Sequence, residues 1–312
     1  MVPKILVLLA LGFAIFMSTY RVIETPPTWM DEGAIEQVAI NLANNGIYGY
    51  QTAPGHFISA SFLTTSYPLI YPLALAFKIF GTNLFTARLV MVLFIFLLCF
   101  FAYLFISQEE FEAKNILPIM SLFLLVTFAP LYGHGKNVLG EVPGLVFFMA
   151  ALFLLGFAER GYKRWWLLPL AGLSTGFSMA AKPVFLILIL PSLLLVLFIL
   201  NRRVLFLREK SLFFAGVGLP IFLWLLIHFN GGSPLSVLFS GNPDNVSALS
   251  LAGVNIYRFV SEFQPIYFLG LLFVWGVTFF IRKSKKDHIS LVESICFVFS
   301  LLNLVSYLDT RG

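Results

Sequence analysis

The sequence predicts an all-α polytopic membrane protein, and three observations carry that reading. Hydrophobic residues make up 59% of the 312 residues and charged residues only 11%. Mean hydropathy is +0.92. Several apolar windows of roughly 17–25 residues are long enough to cross a hydrocarbon core. With 36 Phe as well, this composition excludes an ordinary water-soluble domain. The net charge of +5 does not point to nucleic acid, because the basic residues fall in short loops between spans; the expected surroundings are membrane lipids. Cys99 and Cys296 both lie in predicted spans, which supports neither a disulfide framework nor a zinc site.

Taken in order, the apolar windows give about nine spans in a single transmembrane domain covering 1–312, near 4–20, 85–107, 115–131, 142–158, 165–181, 183–200, 211–229, 265–281 and 289–307. The first could be mistaken for a signal peptide. It lacks a small-residue cleavage site and Arg21 follows directly, so it reads as an uncleaved span. The segment 67–80 has 14 residues and opens with Pro68 and Pro72, which suits a helix start at the membrane surface better than a crossing.

Charge decides its placement. If 67–80 stays on the outer face, the N-terminus, 108–114, 159–164, 201–210 and 282–288 are cytoplasmic and hold 13 of the 20 Lys and Arg. If it crossed, every later basic loop would lie outside, against the positive-inside tendency. The outer loop 21–84 is then expected to carry two interfacial helices, at 31–45 and 67–80.

That assignment gathers nearly all the chemistry-capable residues on one face. An Asp31-Glu32 pair lies ten residues beyond the first span, between Trp29-Met30 and Gly33-Ala34-Ile35. Carboxylates at a membrane edge are costly to hold and point to function. The segment 31–45 reads as an amphipathic helix, with Ala34, Ile35, Val38, Ala39 and Leu42 on one face, Glu32, Glu36 and Asn44 polar, and Asn45-Gly46 as the stop. Asp31 falls at or next to its N-cap, so it reads equally as a helix cap and as a base or cation ligand.

Glu141 opens a later span beside Pro143, either complementing the helix dipole or facing Asp31 across a cavity. Arg88, Lys182 and Arg311 are outer-face cations that read as interfacial anchors or as ligands for an anionic lipid head group. His56 and His134 lack metal-ligand spacing and read as loop histidines. Asn245-Val246-Ser247 is a weak glycosylation match.

The string Trp29-Met-Asp31-Glu32-Gly-Ala-Ile-Glu36-Gln-Val-Ala-Ile-Asn-Leu-Ala-Asn-Asn-Gly46 resembles the first outer loop of the protein mannosyltransferase-like glycosyltransferases of the glycosyltransferase C superfamily, which include the lipid A aminoarabinose transferases. Tyr67-Pro68-Leu-Ile-Tyr-Pro72-Leu, Phe80-Gly81-Thr-Asn-Leu-Phe-Thr-Ala-Arg88, Gly140-Glu141-Val-Pro143 and Met179-Ala-Ala-Lys182-Pro183 follow in the same order.

The resemblance covers essentially the whole chain and implies a glycosyltransferase C-type helical bundle. It also implies inverting transfer of a sugar from a polyprenyl-phosphate donor to a lipid, glycan or protein acceptor on the outer face. By the same resemblance Asp31 is the general base, Glu32 supports it, Glu141 is the second acidic residue, and Arg88, Lys182 and Arg311 bind the departing phosphate. A divalent cation is left open, since the sequence offers no complete ligand set.

Aspartate is also common at the second acidic position. The chain stops at Leu308-Asp-Thr-Arg311-Gly312, where family members continue with a further loop and spans, so a truncated chain is expected. The rival classes are a transporter or lipid flippase and a non-catalytic scaffold. Transporters place ionisable groups at mid-membrane and often show inverted repeats. Here the span interiors carry almost no charge, and no repeat is visible.

Overall fold

The computed structural model describes residues 2–108, 117–160, 165–200, 205–229, 263–284 and 289–309. The chain divides into two compact units, Met1–Leu186 with Arg208–Leu238, and Ile187–Leu207 with Phe239–Gly312, a division that the sequence reading did not draw. Arg311 and Asn245-Val246-Ser247 lie outside the described residues, so their expected roles find no structural counterpart here.

The fold is all-α and polytopic apart from one hairpin. In the first unit the order is α1 (Val2–Thr19), α2 (Met30–Asn45), β1 (Gly49–Ala53), β2 (His56–Ser59), α3 (Tyr67–Phe80), α4 (Leu84–Ser107), α5 (Leu117–Val126), α6 (Ala129–Gly133), α7 (Glu141–Glu159), α8 (Leu167–Ala181), the start of α9 (Pro183–Leu195) and α10 (Leu207–Phe229). The second unit holds the rest of α9 with a π-helical turn at Val196–Leu200, then α11 (Phe263–Ser284) and α12 (Leu291–Asp309). All nine segments expected to span coincide with helices, with 115–131 divided between α5 and α6. Four stretches, Leu84–Ser107, Glu141–Glu159, Pro183–Leu200 and Leu207–Phe229, are long and apolar enough to cross a bilayer.

Both helices expected in the first long loop form. Gly46 ends α2 at φ 69, where its N–H reaches the carbonyls of Asn41 and Leu42. In α3, Tyr71, Leu75 and Ile79 recur every fourth residue and are exposed, while Leu69, Ile70, Leu73 and Phe77 are buried. An exposed apolar stripe on a short helix suits one lying in the membrane interface. Ser66, preceding α3, makes no side-chain cap bond; its hydroxyl donates instead to the Ala180 carbonyl at the end of α8.

Between the two helices the chain makes a feature that the reading of 21–84 passed over, an antiparallel hairpin pairing Gly49 with Ser59, Tyr50 with Ile58 and Gln51 with Phe57. Pro54-Gly55 turns it, with Gly55 at φ 75, the left-handed position that such a turn requires. Gln37 and Asn41 of α2 donate side-chain amide hydrogens to the carbonyls of Gln51 (3.0 Å) and Gly49 (2.8 Å), so hairpin and helix are bound together.

One core joins these surface elements to the spans: Ile35, Val38 and Ala39 of α2, Leu69, Ile70 and Leu73 of α3, and Ala87, Met91 and Ile95 of α4. Elsewhere in the unit the helices meet through small residues. A Cβ at Gly172 would stand 2.0 Å from the Phe213 carbonyl oxygen, one at Gly176 2.6 Å from that of Val217, and one at Gly216 2.3 Å from that of Pro169. The Gly172-x-x-x-Gly176 spacing thus lets the α8 and α10 backbones touch, a common solution where lipid removes the hydrophobic drive between helices. Gly172→Val is expected to lower stability by about 1–3 kcal/mol through overpacking. Gly218→Ala, with nothing within 4 Å of its added Cβ, is expected to be neutral or slightly stabilising, read by thermal unfolding in detergent.

Candidate active site

The functional candidates in the described residues collect where α1, α8 and α10 end and α4, α7 and α9 begin. At the centre is Glu32, in the first turn of α2 and wholly buried. The sequence placed it on the polar side of an amphipathic helix; the structure puts it on the buried side with Ile35, Val38 and Ala39. Burial is tolerable because Arg88 meets it with two parallel bonds, Nε to Oε1 at 3.0 Å and Nη2 to Oε2 at 2.9 Å. Glu32 Oε1 also accepts the backbone N–H of Val138 at 3.1 Å.

Arg88 sits on the buried stripe of α4 with Met91, Ile95, Cys99 and Ala102. Its remaining hydrogens are spent on the protein. Nη1 donates to the carbonyls of Val22 and Pro26, both at 2.8 Å, and Nη2 to Asn137 Oδ1 at 3.3 Å. All five guanidinium N–H groups therefore have acceptors, and the side chain is 0% exposed. In this structure no guanidinium hydrogen is left for the donor phosphate that the sequence resemblance assigns to Arg88. The cation clamps the chain after α1, the start of α2 and the loop before α7.

Asp31 has the opposite surroundings. It is exposed, with no ion pair or hydrogen bond among the described residues. Of the two readings of Asp31, the cap is not met: Trp29 is the N-cap residue, and its side chain makes no cap bond. Asp31 is the second helical residue, where the dipole still favours a carboxylate.

The other two candidates pair with each other. Glu141 opens α7, and its Oε1 accepts from Lys182 Nζ, at the junction of α8 and α9. Its Oε2 is buried without a partner. The backbone closes the distance between the two acidic regions. Val138, bonded to Glu32, precedes Glu141 by three residues, a separation of at most roughly 11 Å along the chain. Gly140 N donates to Thr65 Oγ1 at 3.1 Å, and Ser66 N to the Ala181 carbonyl at 3.3 Å. A Cβ on Gly140 would stand 2.6 Å from that Ala181 carbonyl oxygen, so glycine is required for the approach. The loop before α3 thus bridges the starts and ends of α7 and α8.

Two residues that sequence reasoning left without a role belong here. Lys136 is buried and donates to the Tyr20 carbonyl at 2.9 Å; burial, with the neighbouring Arg88, lowers its pKa from the usual 10.5. Glu36, one turn beyond Glu32, has Oε1 buried without a partner. Burial, and then the Glu32 charge, push its carboxyl up to about 7. A signal for Glu36 was present: like charges four apart on a helix oppose each other, so Glu32 and Glu36 are not a simple solvated face. Nothing local marked Lys136.

No group of three or more His, Cys, Asp or Glu among the described residues is placed to hold a metal ion. Glu32 is buried with both oxygens hydrogen-bonded to the protein, whereas Asp31 is exposed.

The helical bundle thus carries an anchored acid beside an exposed one, and a Glu–Lys pair next to the loop that the anchored acid holds. The sequence pattern of the dolichyl-phosphate-mannose-protein mannosyltransferases matches residues 68–228, just over half of the chain, and the chain belongs to that family. This is a family of membrane glycosyltransferases. The match includes Arg88, Glu141 and Lys182 and begins after Asp31 and Glu32. No curated protein sequence matches the chain.

Breaking the buried pair should be costly. Arg88→Met is expected to destabilise by about 3–5 kcal/mol, because Glu32 loses its counter-charge, and adding Glu32→Leu should recover a large part. Thermal unfolding of the two variants checks this. The pH response of Glu36 has a fixed sign. Its folded pKa stands above the ordinary 4.5, so the folded protein holds this proton more tightly than the unfolded chain between about pH 4.5 and 7. Stability should therefore fall as pH rises through that window, and Glu36→Gln should remove that part of the fall.

Proposed function

We propose that the chain transfers a sugar from a polyprenyl-phosphate-linked donor to an acceptor on the outer (periplasmic, extracellular or lumenal) face of the membrane, with inversion, and that Asp31 is the general base. The observation that carries the proposal is the contrast within one helical turn. Glu32 is immobilised by Arg88 and Val138, while its neighbour Asp31 is exposed and unpaired among the described residues. A base must be reachable by substrate and held on a rigid support, and the first turn of α2 supplies both.

In this reading Asp31 takes the proton of the acceptor hydroxyl as its oxygen attacks the anomeric carbon. The bond from that carbon to the phosphate oxygen breaks on the opposite side, and the polyprenyl phosphate leaves with the electron pair. Glu32 is a positioning residue. Glu141 contacts the acceptor. Lys182 spends one of its three N–H donors on Glu141 and is the cation that faces the leaving phosphate. Arg311 keeps the phosphate role that the sequence resemblance implies. The N-terminus is cytoplasmic, the orientation that the distribution of Lys and Arg supports.

Asp31→Asn is expected to lower kcat roughly 10²–10⁴-fold, the usual contribution of a general base, with normal membrane insertion and thermal stability. Transfer of labelled sugar from a polyprenyl-phosphate donor in membranes measures it. Transfer unchanged in Asp31→Asn would remove the base assignment.

A further inference from the structure

A cavity of about 400 Å³ opens beside Glu141 in the first unit. Its walls are apolar: Met91 and Leu98 from α4, Leu125 from α5, Leu131 from α6, and Val142 and Leu145 from α7. Met91 and Leu98 are seven residues apart on one helix, so the wall runs roughly 10 Å along the α4 axis. The polar lining comes from His134, Asn137 and Glu141. The volume lies in the ordinary range for a ligand site, roughly 300–1,000 Å³. An apolar slot with polar groups of this kind suits an amphiphile.

The chemistry of the polar groups selects among amphiphiles. No Lys or Arg lines the cavity, so a phosphate head would meet the Glu141 carboxylate without a cation among the lining residues. Lys182, which pairs with Glu141 Oε1, is not among the lining residues. Glu141 lines the cavity with its side chain 46% exposed, and its Oε2 has no hydrogen-bond donor, so the carboxylate can still accept one. A hydroxyl supplies that donor.

We propose, on the basis of the transferase reading above, that this slot seats the apolar part of a lipid acceptor and that Glu141 accepts a hydrogen bond from a head-group hydroxyl other than the one that Asp31 deprotonates. The acceptor is then a hydroxyl-bearing lipid, and the phosphate of the donor binds outside the slot.

A diazirine-bearing fatty alcohol, photocrosslinked to the full chain in phosphatidylcholine vesicles, tests this by mass spectrometry of the labelled residues. Label is expected on the walls around Met91, Leu131 and Leu145, competed by the unlabelled alcohol and removed by the space-filling Leu131→Trp. The same chain bearing a phosphate head should label these walls roughly tenfold less, the worth of one hydrogen bond to a charged group. The head-group comparison uses the unaltered protein, so it holds even if Leu131→Trp does not fold. Equal labelling by the two heads, stronger labelling by the phosphate, or wall label that folded Leu131→Trp retains would overturn the proposal. Head-selective labelling in a protein that transfers no sugar would keep the slot and reject the transferase reading.

Discussion

The buried Glu32–Arg88 pair is the interaction on which the site depends. Two charges with no solvent exposure stabilise a fold little by themselves, because desolvation offsets most of their attraction. What such a pair supplies is geometry. The guanidinium has one planar set of hydrogens, and together they find acceptors in three parts of the chain: the segment after α1, the first turn of α2 and the loop before α7. Moving any of these by a few ångströms would strand a buried charge. The pair therefore fixes the base of the first long loop to the helix bundle, with Asp31 carried on the fixed turn.

A second line of contacts extends that rigidity to Glu141 and Lys182. Val138 bonds to Glu32, Gly140 bonds to Thr65, and Ser66 bonds to the last turn of α8. Each link is a backbone group satisfied near the edge of an apolar bundle, where an unpaired one would be costly. The acidic residue at the start of α7 and the lysine that ends α8 are thereby brought together, although 41 positions separate them. Glu141 then stands between a cation and a cavity, a placement that suits a residue contacting a substrate.

Composition and periodicity made much of this fold legible. The apolar windows located the helices, and Pro68 marked the start of the one at 67–80. Gly46 marked the end of α2. The hairpin at 49–59 was also written in the sequence, as Pro54-Gly55 between short alternating segments, but a chain this hydrophobic draws the reading toward helices. The partners of Arg88 were not legible. Hydropathy ranks an arginine near a span end as an anchor, and only the three-dimensional course of the chain shows a carboxylate 56 residues earlier waiting for it. The buried stripe of Met91, Ile95 and Cys99 was the local hint that Arg88 points inward. Asp31 and Glu32 were identified together, yet burial separates them: one is a structural anchor and the other is open to solvent.

The most direct test of this account is the kinetics of sugar transfer by Glu32→Gln, which leaves Asp31 intact and loosens the turn that holds it. The account predicts a fall in kcat with little change in KM for the donor, partly reversed when Arg88→Gln is added to remove the unpaired charge. An unchanged kcat in a folded Glu32→Gln protein would contradict it, because Asp31 would then need no anchored neighbour.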